Sequence, residues 1–209
     1  MTNDAQQTGA NQPPAPAVSG RHVIVGVTGG ISAYKTADLV SKLAQAGASV
    51  HVLMTQAATR FVTPLTFQAL SGNPVYDSPW THIETQDPQH ISQAGRADCM
   101  LIAPCTMDAL ARLAIGRADD VISLVAAAID RTRIPVMLAP AMNAAMWQQP
   151  ATQRNVTLLK ADGFHFVGPE TGWQACRTSG PGRMSEPADI LRSLSLLLSP
   201  PCDADAASS

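Results

Sequence analysis

The sequence predicts an α/β protein: one doubly wound parallel sheet with helices on both faces, three layers in all. Three observations predict it. Short, continuous apolar runs recur along the chain, helical stretches separate them, and the apolar runs lack the alternation of a strand with one wet face. With 209 residues, 45% of them hydrophobic, the chain can enclose one sizeable core, so a single domain is expected.

Taken in order, residues 22–27 (HVIVGV), 49–54 (SVHVLM), 99–103 (CMLIA), 134–139 (IPVMLA) and 164–167 (FHFV) read as buried strands. Between them, residues 31–46, 107–113, 120–129 and 150–161 read as helices, which supply the crossovers that parallel strands need. Residues 79–89 (PWTHIETQDPQ) are polar, contain two prolines and read as a loop before another short helix. Residues 1–20 and 199–209 are polar or Ala- and Pro-rich without periodicity, so both are expected to be disordered tails flanking a domain at 21–198.

Composition narrows the function classes. Lys and Arg total 14 against 16 Asp and Glu, a net charge of -2, and no basic block could neutralise a phosphate backbone, which argues against a nucleic-acid partner. No apolar run approaches the roughly 20 residues of a membrane helix, and the first residues lack a signal-peptide pattern, so a cytoplasmic protein without a membrane partner is expected. The four cysteines, Cys99, Cys105, Cys176 and Cys202, have no CxxC spacing. Free thiols and no metal site are expected. Charged residues make up only 14%, against about 25% in an average soluble domain.

Parallel sheets of this kind bind ligands beyond the carboxyl ends of their strands. After the first strand, Gly26-Val27-Thr28-Gly29-Gly30-Ile31-Ser32-Ala33-Tyr34-Lys35-Thr36 forms a glycine turn opening a helix, a setting that suits an anion. It is not a P-loop, because Tyr34 stands where a glycine would precede Lys35-Thr36. Nor is it a dinucleotide fingerprint, because the spacing is GxxGG and the second strand ends in Met54-Thr55 without a carboxylate for a ribose. A plain tight turn is the alternative.

Two strands end in Ala-Pro, at Ala103-Pro104-Cys105-Thr106 and Ala139-Pro140-Ala141-Met142-Asn143, so the residues that follow are aimed by stiff turns. Asn143 offers a donor and an acceptor to a ligand amide or carboxylate, and it equally reads as a helix N-cap. Among five histidines, His22, His51 and His165 sit in or beside strands and read as packing residues. His90 begins a helix after the polar loop, where an imidazole can act in a cleft, and His82 competes with it from inside that loop. Residues 172–184 lack helical and strand periodicity and read as a flexible flap carrying Cys176 and Arg183. With Cys99 in a core strand and Cys202 in a tail, Cys176 and Cys105 are the cysteines placed for chemistry.

These segments together resemble the homo-oligomeric, flavin-containing cysteine decarboxylases, and within that family the branch acting on 4'-phosphopantothenoylcysteine in coenzyme A biosynthesis. The resemblance runs from Arg21 to Ile190 and is carried by GVTGGISAYK from Gly26, FVTPLTFQALSGNPVY from Phe61, His90-Ile91, ADCMLIAPCT from Ala97, PAMNAAMW from Pro140 and ACRTSGPGRM from Ala175. It implies a Rossmann-like (flavodoxin-like) fold binding FMN through Gly29, Gly30, Ile31, Ser32, Thr55, Thr106, Met107, Asp108, Ala109 and Ala141. It also implies substrate contacts from Met142, Asn143, Ala175, Arg183 and Met184, with His90 as the base and Cys176 as the acid.

The implied activity is that of a carboxy-lyase: thiol oxidation, CO2 loss to an enethiolate, and re-reduction by FMNH2 with Cys176 as proton donor. The family builds its flavin site between subunits of a trimer, sometimes stacked into a dodecamer, which fits the low charge. Two departures stand out, Asp108 and Ala109 where the family commonly has Asn and Thr, and Arg177 where it has Gly. A peptidyl-cysteine decarboxylase that stops at the enethiol and a non-catalytic regulatory relative are the alternatives.

Overall fold

The computed structural model describes residues 17–80 and 89–199. Five parallel strands form the main sheet: β1 (His22–Val27), β2 (Ser49–Met54), β3 (Cys99–Cys105), β4 (Val136–Pro140) and β5 (His165–Phe166), in the order β2-β1-β3-β4-β5. This is the flavodoxin-like order, and it places the topological switch between β1 and β3. Helices α1 (Ala33–Gln45) and α2 (Pro64–Ser71) follow β1 and β2, with a 3-10 turn at Ala58–Arg60 between β2 and α2. Next come α3 (Gln89–Arg96), α4 (Met107–Ala114) and α5 (Val121–Ala128), then α6 (Ala144–Gln148) and α7 (Pro150–Ala161).

The strands are apolar on both faces because both faces are covered. Val23, Val25 and Val27 of β1 pack with Leu39, Leu43 and Phe67 of α1 and α2. Ile24 faces the other way, with Met100 and Ile102 of β3, onto Leu110, Val125 and Leu159 of α4, α5 and α7. The period-2 alternation therefore divides one strand between two cores rather than between core and water.

Several expectations change. The strand expected at 99–103 continues through Pro104 to Cys105, and its register against β4 shifts between Ile102 and Cys105. A proline that cannot donate to the ladder is accommodated at such an irregularity. Residues 17–20, expected within the N-terminal tail, instead form a turn: Val18 is 0% exposed in the core, and Gly20 N–H donates to the Gly47 carbonyl at 2.9 Å. Ser199 caps the last helix, α8 (Pro187–Leu198), which packs Ile190 and Leu194 beside α1. Residues 1–16 and 200–209, with Cys202, lie outside the described residues, as do residues 81–88 of the expected loop with His82.

The segment 172–184 is not irregular. It contributes to an antiparallel hairpin of β6 (Glu170–Trp173) and β7 (Ser179–Arg183), separate from the main sheet. Gly172, Gly180, Pro181 and Gly182 erase its sequence alternation, so only pairing reveals it.

Candidate active site

At the carboxyl edge of the sheet, the turns after β1, β2, β3 and β4 and the β6–β7 hairpin enclose a cavity of about 1120 Å³. That exceeds the roughly 300–1,000 Å³ of ordinary ligand pockets, leaving room for two ligands together.

The floor straddles the switch point. Thr28, just after β1, donates its hydroxyl to the Pro104 carbonyl at 2.6 Å and accepts the Thr106 N–H at 3.1 Å, joining the β1 and β3 turns. Thr106 in turn caps α4, its hydroxyl accepting the Ala109 N–H at 3.3 Å. Gly29 permits a close approach: a Cβ there would sit 2.4 Å from the Ala57 Cβ. The first turn of α1 rises from this floor with the dipole that favours an anion, its Ala33 and Lys35 N–H groups donating back to the Gly30 and Ser32 carbonyls at 3.0 Å.

Gly29, Gly30, Ile31, Ser32 and Thr55 all line the cavity, joined by Thr106, Met107, Asp108 and Ala141. Ala109 does not; it is buried in the core beneath, and its contribution is the backbone N–H held by Thr106. The Asp108 carboxylate is 73% exposed and bonded to Arg112 Nε at 2.8 Å. Arg112 also pairs with Asp119 and Asp120.

The roof is formed by the hairpin, with Ala175, Cys176 and Arg183, and by Met142 and Asn143 of the turn after β4, all lining the cavity. Asn143 satisfies both readings of it. Its Oδ1 accepts the Ala145 N–H at 2.8 Å, capping α6, while its Nδ2 donates to the Cys176 Sγ at 3.0 Å. Thr178 Oγ1 lies 3.0 Å from the same sulfur. The Thr178 hydroxyl first, then the Asn143 amide, hold the exposed Cys176 thiol below its ordinary pKa. Arg177, between Cys176 and Thr178, takes φ 64, the one positive φ of a non-glycine residue among those described.

Four of the singled-out residues are buried, already partnered or away from the cavity. Met184 is 1% exposed in the core and does not line the cavity. The Arg183 fork is engaged by Glu186, which also accepts Lys35 Nζ at 2.8 Å; that bond from Lys35 is the main cause holding the Glu186 carboxyl low. His90, half-buried at the start of α3, does not line this cavity. Cys105, singled out with Cys176, is fully buried, and desolvation pushes its thiol far up, out of reach of solution chemistry.

Sequence reasoning missed Thr28, Lys35, Arg112, Gln174 and Thr178. Thr28 and Lys35 were visible inside the glycine turn, and Thr178 two residues after Cys176. Arg112 forms an i,i+4 pair with Asp108 on α4, a local signal, whereas Gln174 carries none, since its partners Ala144 and Pro181 come from other elements.

Fold and cleft define a class: a flavodoxin-like α/β protein with a ligand cavity at its switch point and a thiol-bearing hairpin over it. The chain belongs to the Flavoprotein family, which matches residues 14–198. It is similar to the coenzyme A biosynthesis bifunctional protein CoaBC of Haemophilus influenzae, 47% identical over 184 residues, covering 85% of this chain and 44% of that protein. The Escherichia coli K12 CoaBC is 44% identical over 174 residues, covering 83% and 42%. This chain thus spans less than half the length of those curated relatives. Among solved structures, a PPC decarboxylase cysteine-to-serine mutant complexed with pantothenoylaminoethenethiol matches with a TM-score of 0.75 and 27% identity, over 85% of this chain and 97% of that one. The FMN-dependent cysteine decarboxylase SpaF matches equally, with a TM-score of 0.75 and 28% identity, over 87% and 97%.

Proposed function

We propose that this chain is an FMN-dependent carboxy-lyase that converts 4'-phosphopantothenoylcysteine to 4'-phosphopantetheine in coenzyme A biosynthesis. The observation that carries it is the Cys176 thiol, held by Asn143 and Thr178 over a cavity large enough for a flat cofactor and a substrate. FMN fits that cavity: Gly29 flattens one wall against Ala57, the α1 N-terminus suits its phosphate, and Thr55 and Thr106 offer hydroxyls. When bound, FMN supplies a reversible two-electron sink, without which loss of CO2 from a cysteinyl carboxylate would leave an unstabilised carbanion.

The chain's own residues do the rest. Asn143, fixed by its cap bond, presents its carboxamide where a substrate carboxylate or amide can be held. Ala141 and Gly30 keep the space beside it free of side chains. Cys176 is the acid of the last step, and its lowered pKa makes it a better donor to the enethiolate carbon. A PPC decarboxylase cysteine-to-serine mutant complexed with pantothenoylaminoethenethiol, a compound that keeps a carbon–carbon double bond, supports a role for a cysteine in the final saturation. Likeness to CoaBC proteins and the thiol-bearing roof favour this reading over an enethiol-releasing peptide decarboxylase.

We infer further that the working unit is a homo-oligomer, a trimer or a dodecamer of stacked trimers, in which His90 of one copy serves the cavity of another. Its position away from its own cavity and the exposed Ile91 beside it support this. Buried free thiols at Cys99 and Cys105 suit a reducing cytoplasm.

Mass spectrometry of 4'-phosphopantothenoylcysteine incubated with FMN-loaded protein tests the function. Loss of CO2 alone is expected, and Cys176→Ser should release CO2 yet yield a product two hydrogens lighter. A wild-type product already two hydrogens lighter would overturn the substrate branch, and no CO2 loss would overturn the activity.

A further inference from the structure

Gln174 begins the exposed hairpin tip, yet it is only 8% exposed, whereas the preceding Trp173 is 66% exposed. Its carboxamide uses both ends. Oε1 accepts the Ala144 N–H at 3.1 Å, at the start of α6, and is 3.6 Å from Cys176 Sγ, which donates to it. Nε2 donates to the Pro181 carbonyl of β7 at 2.8 Å. The Gln174 backbone N–H closes the tip by donating to the Thr178 carbonyl at 2.9 Å.

One side chain therefore joins the α6 start, the returning strand and the reactive sulfur. The docking it secures is tight. Met142 N–H donates to the Gly182 carbonyl at 2.9 Å, and a Cβ on Gly182, which has φ +117, would lie 2.3 Å from the Met142 carbonyl oxygen. Asn143 sits between Met142 and Ala144, so the residues that fix the hairpin flank the amide that bonds Cys176. Without Gln174, the Ala144 N–H and the Pro181 carbonyl lose these partners, and among the described residues the remaining polar link from the tip to the α6 start is the Asn143 contact with Cys176 itself.

We propose that Gln174 is a positioning residue, which clamps the hairpin tip to the start of α6 and so holds Cys176 beside Asn143 over the cavity. The proposal rests on the decarboxylase reading for its consequence: Cys176 serves only the final proton transfer, so a displaced tip changes which product leaves.

Gln174→Met keeps the volume and removes both bonds, and Gln174→Asn keeps the carboxamide one methylene short. Each FMN-loaded variant is alkylated with iodoacetamide across a pH series, the Cys176 peptide is quantified by mass spectrometry, and the enethiol-to-saturated product ratio is measured. Folding is checked by circular dichroism and melting. For Gln174→Met, the alkylation midpoint should move up toward that of an ordinary thiol and the enethiol share should rise several-fold. Gln174→Asn should fall between it and the wild type, and carries the test if Gln174→Met does not fold. Folded variants with wild-type alkylation profiles and product ratios would overturn the proposal. Alkylation needs no turnover, so a wild-type protein that releases no CO2 would defeat the decarboxylase reading while leaving the positioning role measurable.

Discussion

The floor and the roof of the cleft are held by different physics, and their cysteines show it. Cys99 and Cys105 belong to β3 beneath the floor, where burial pushes Cys99 up to about 12 and Cys105 higher still. Cys176, on the roof, is exposed and shifted the opposite way by two hydrogen bonds. The floor turns are anchored by buried strands and by Thr28, 2% exposed and bonded across the switch point. The roof hairpin rests on polar contacts between chain segments far apart in sequence. The lesson is that a site can take its shape from burial and its reactivity from a separate polar element, so each can be altered alone.

Gly29→Ala should break the floor with the largest effect. Its new methyl would meet Ala57, and overpacking of this kind costs about 1–3 kcal/mol. Thermal stability should fall accordingly, and the displaced turn should weaken FMN binding by roughly tenfold or more, measured by flavin fluorescence titration, with the Cys176 alkylation profile retained. An unchanged affinity would remove the turn from the cofactor site.

A change on the roof should do the reverse. Cys176 can donate a proton only while protonated, and bonds that favour its thiolate cause that form to be lost at a pH below that of an ordinary thiol. The share of saturated product should therefore fall as pH rises through this lowered pKa. Thr178→Val removes the larger of the two contributions, so the fall should move to higher pH while FMN affinity stays close to wild type. A profile that ignores Thr178 would show that Cys176 is not the titrating acid.

The smallest effect is expected at the floor's edge. Asp108 is largely exposed, and its pair with Arg112 is of the surface kind, worth about 0–1 kcal/mol. Asp108→Asn should change thermal stability little and FMN affinity by less than about threefold. A large gain in affinity would show that the acidic residue opposes the cofactor after all.

Much of this was legible in the sequence. β1, β2 and α7 occupy the residues their apolar patterns indicate, because side chains buried on both faces leave an uninterrupted apolar run. The glycine turn, Thr55, Thr106 and Asn143 were legible as residues directly following strands. The β6–β7 hairpin was not, since its glycines and proline carry no alternation. Val18 was hidden too, as a single apolar side chain in a polar stretch whose pocket is formed by other elements.

The sequence by itself determined the fold class, the glycine turn after β1 and the presence of Asn143 and Cys176, because local periodicity and short motifs record what each segment must bury or cap. Tertiary structure alone decided that Asn143 and Cys176, 33 residues apart, meet at 3.0 Å, that Arg183 is taken up by Glu186, and that His90 stays away from its own chain's cavity. The physical reason is range: burial and capping act within a few residues of chain, whereas these contacts depend on how separate elements dock.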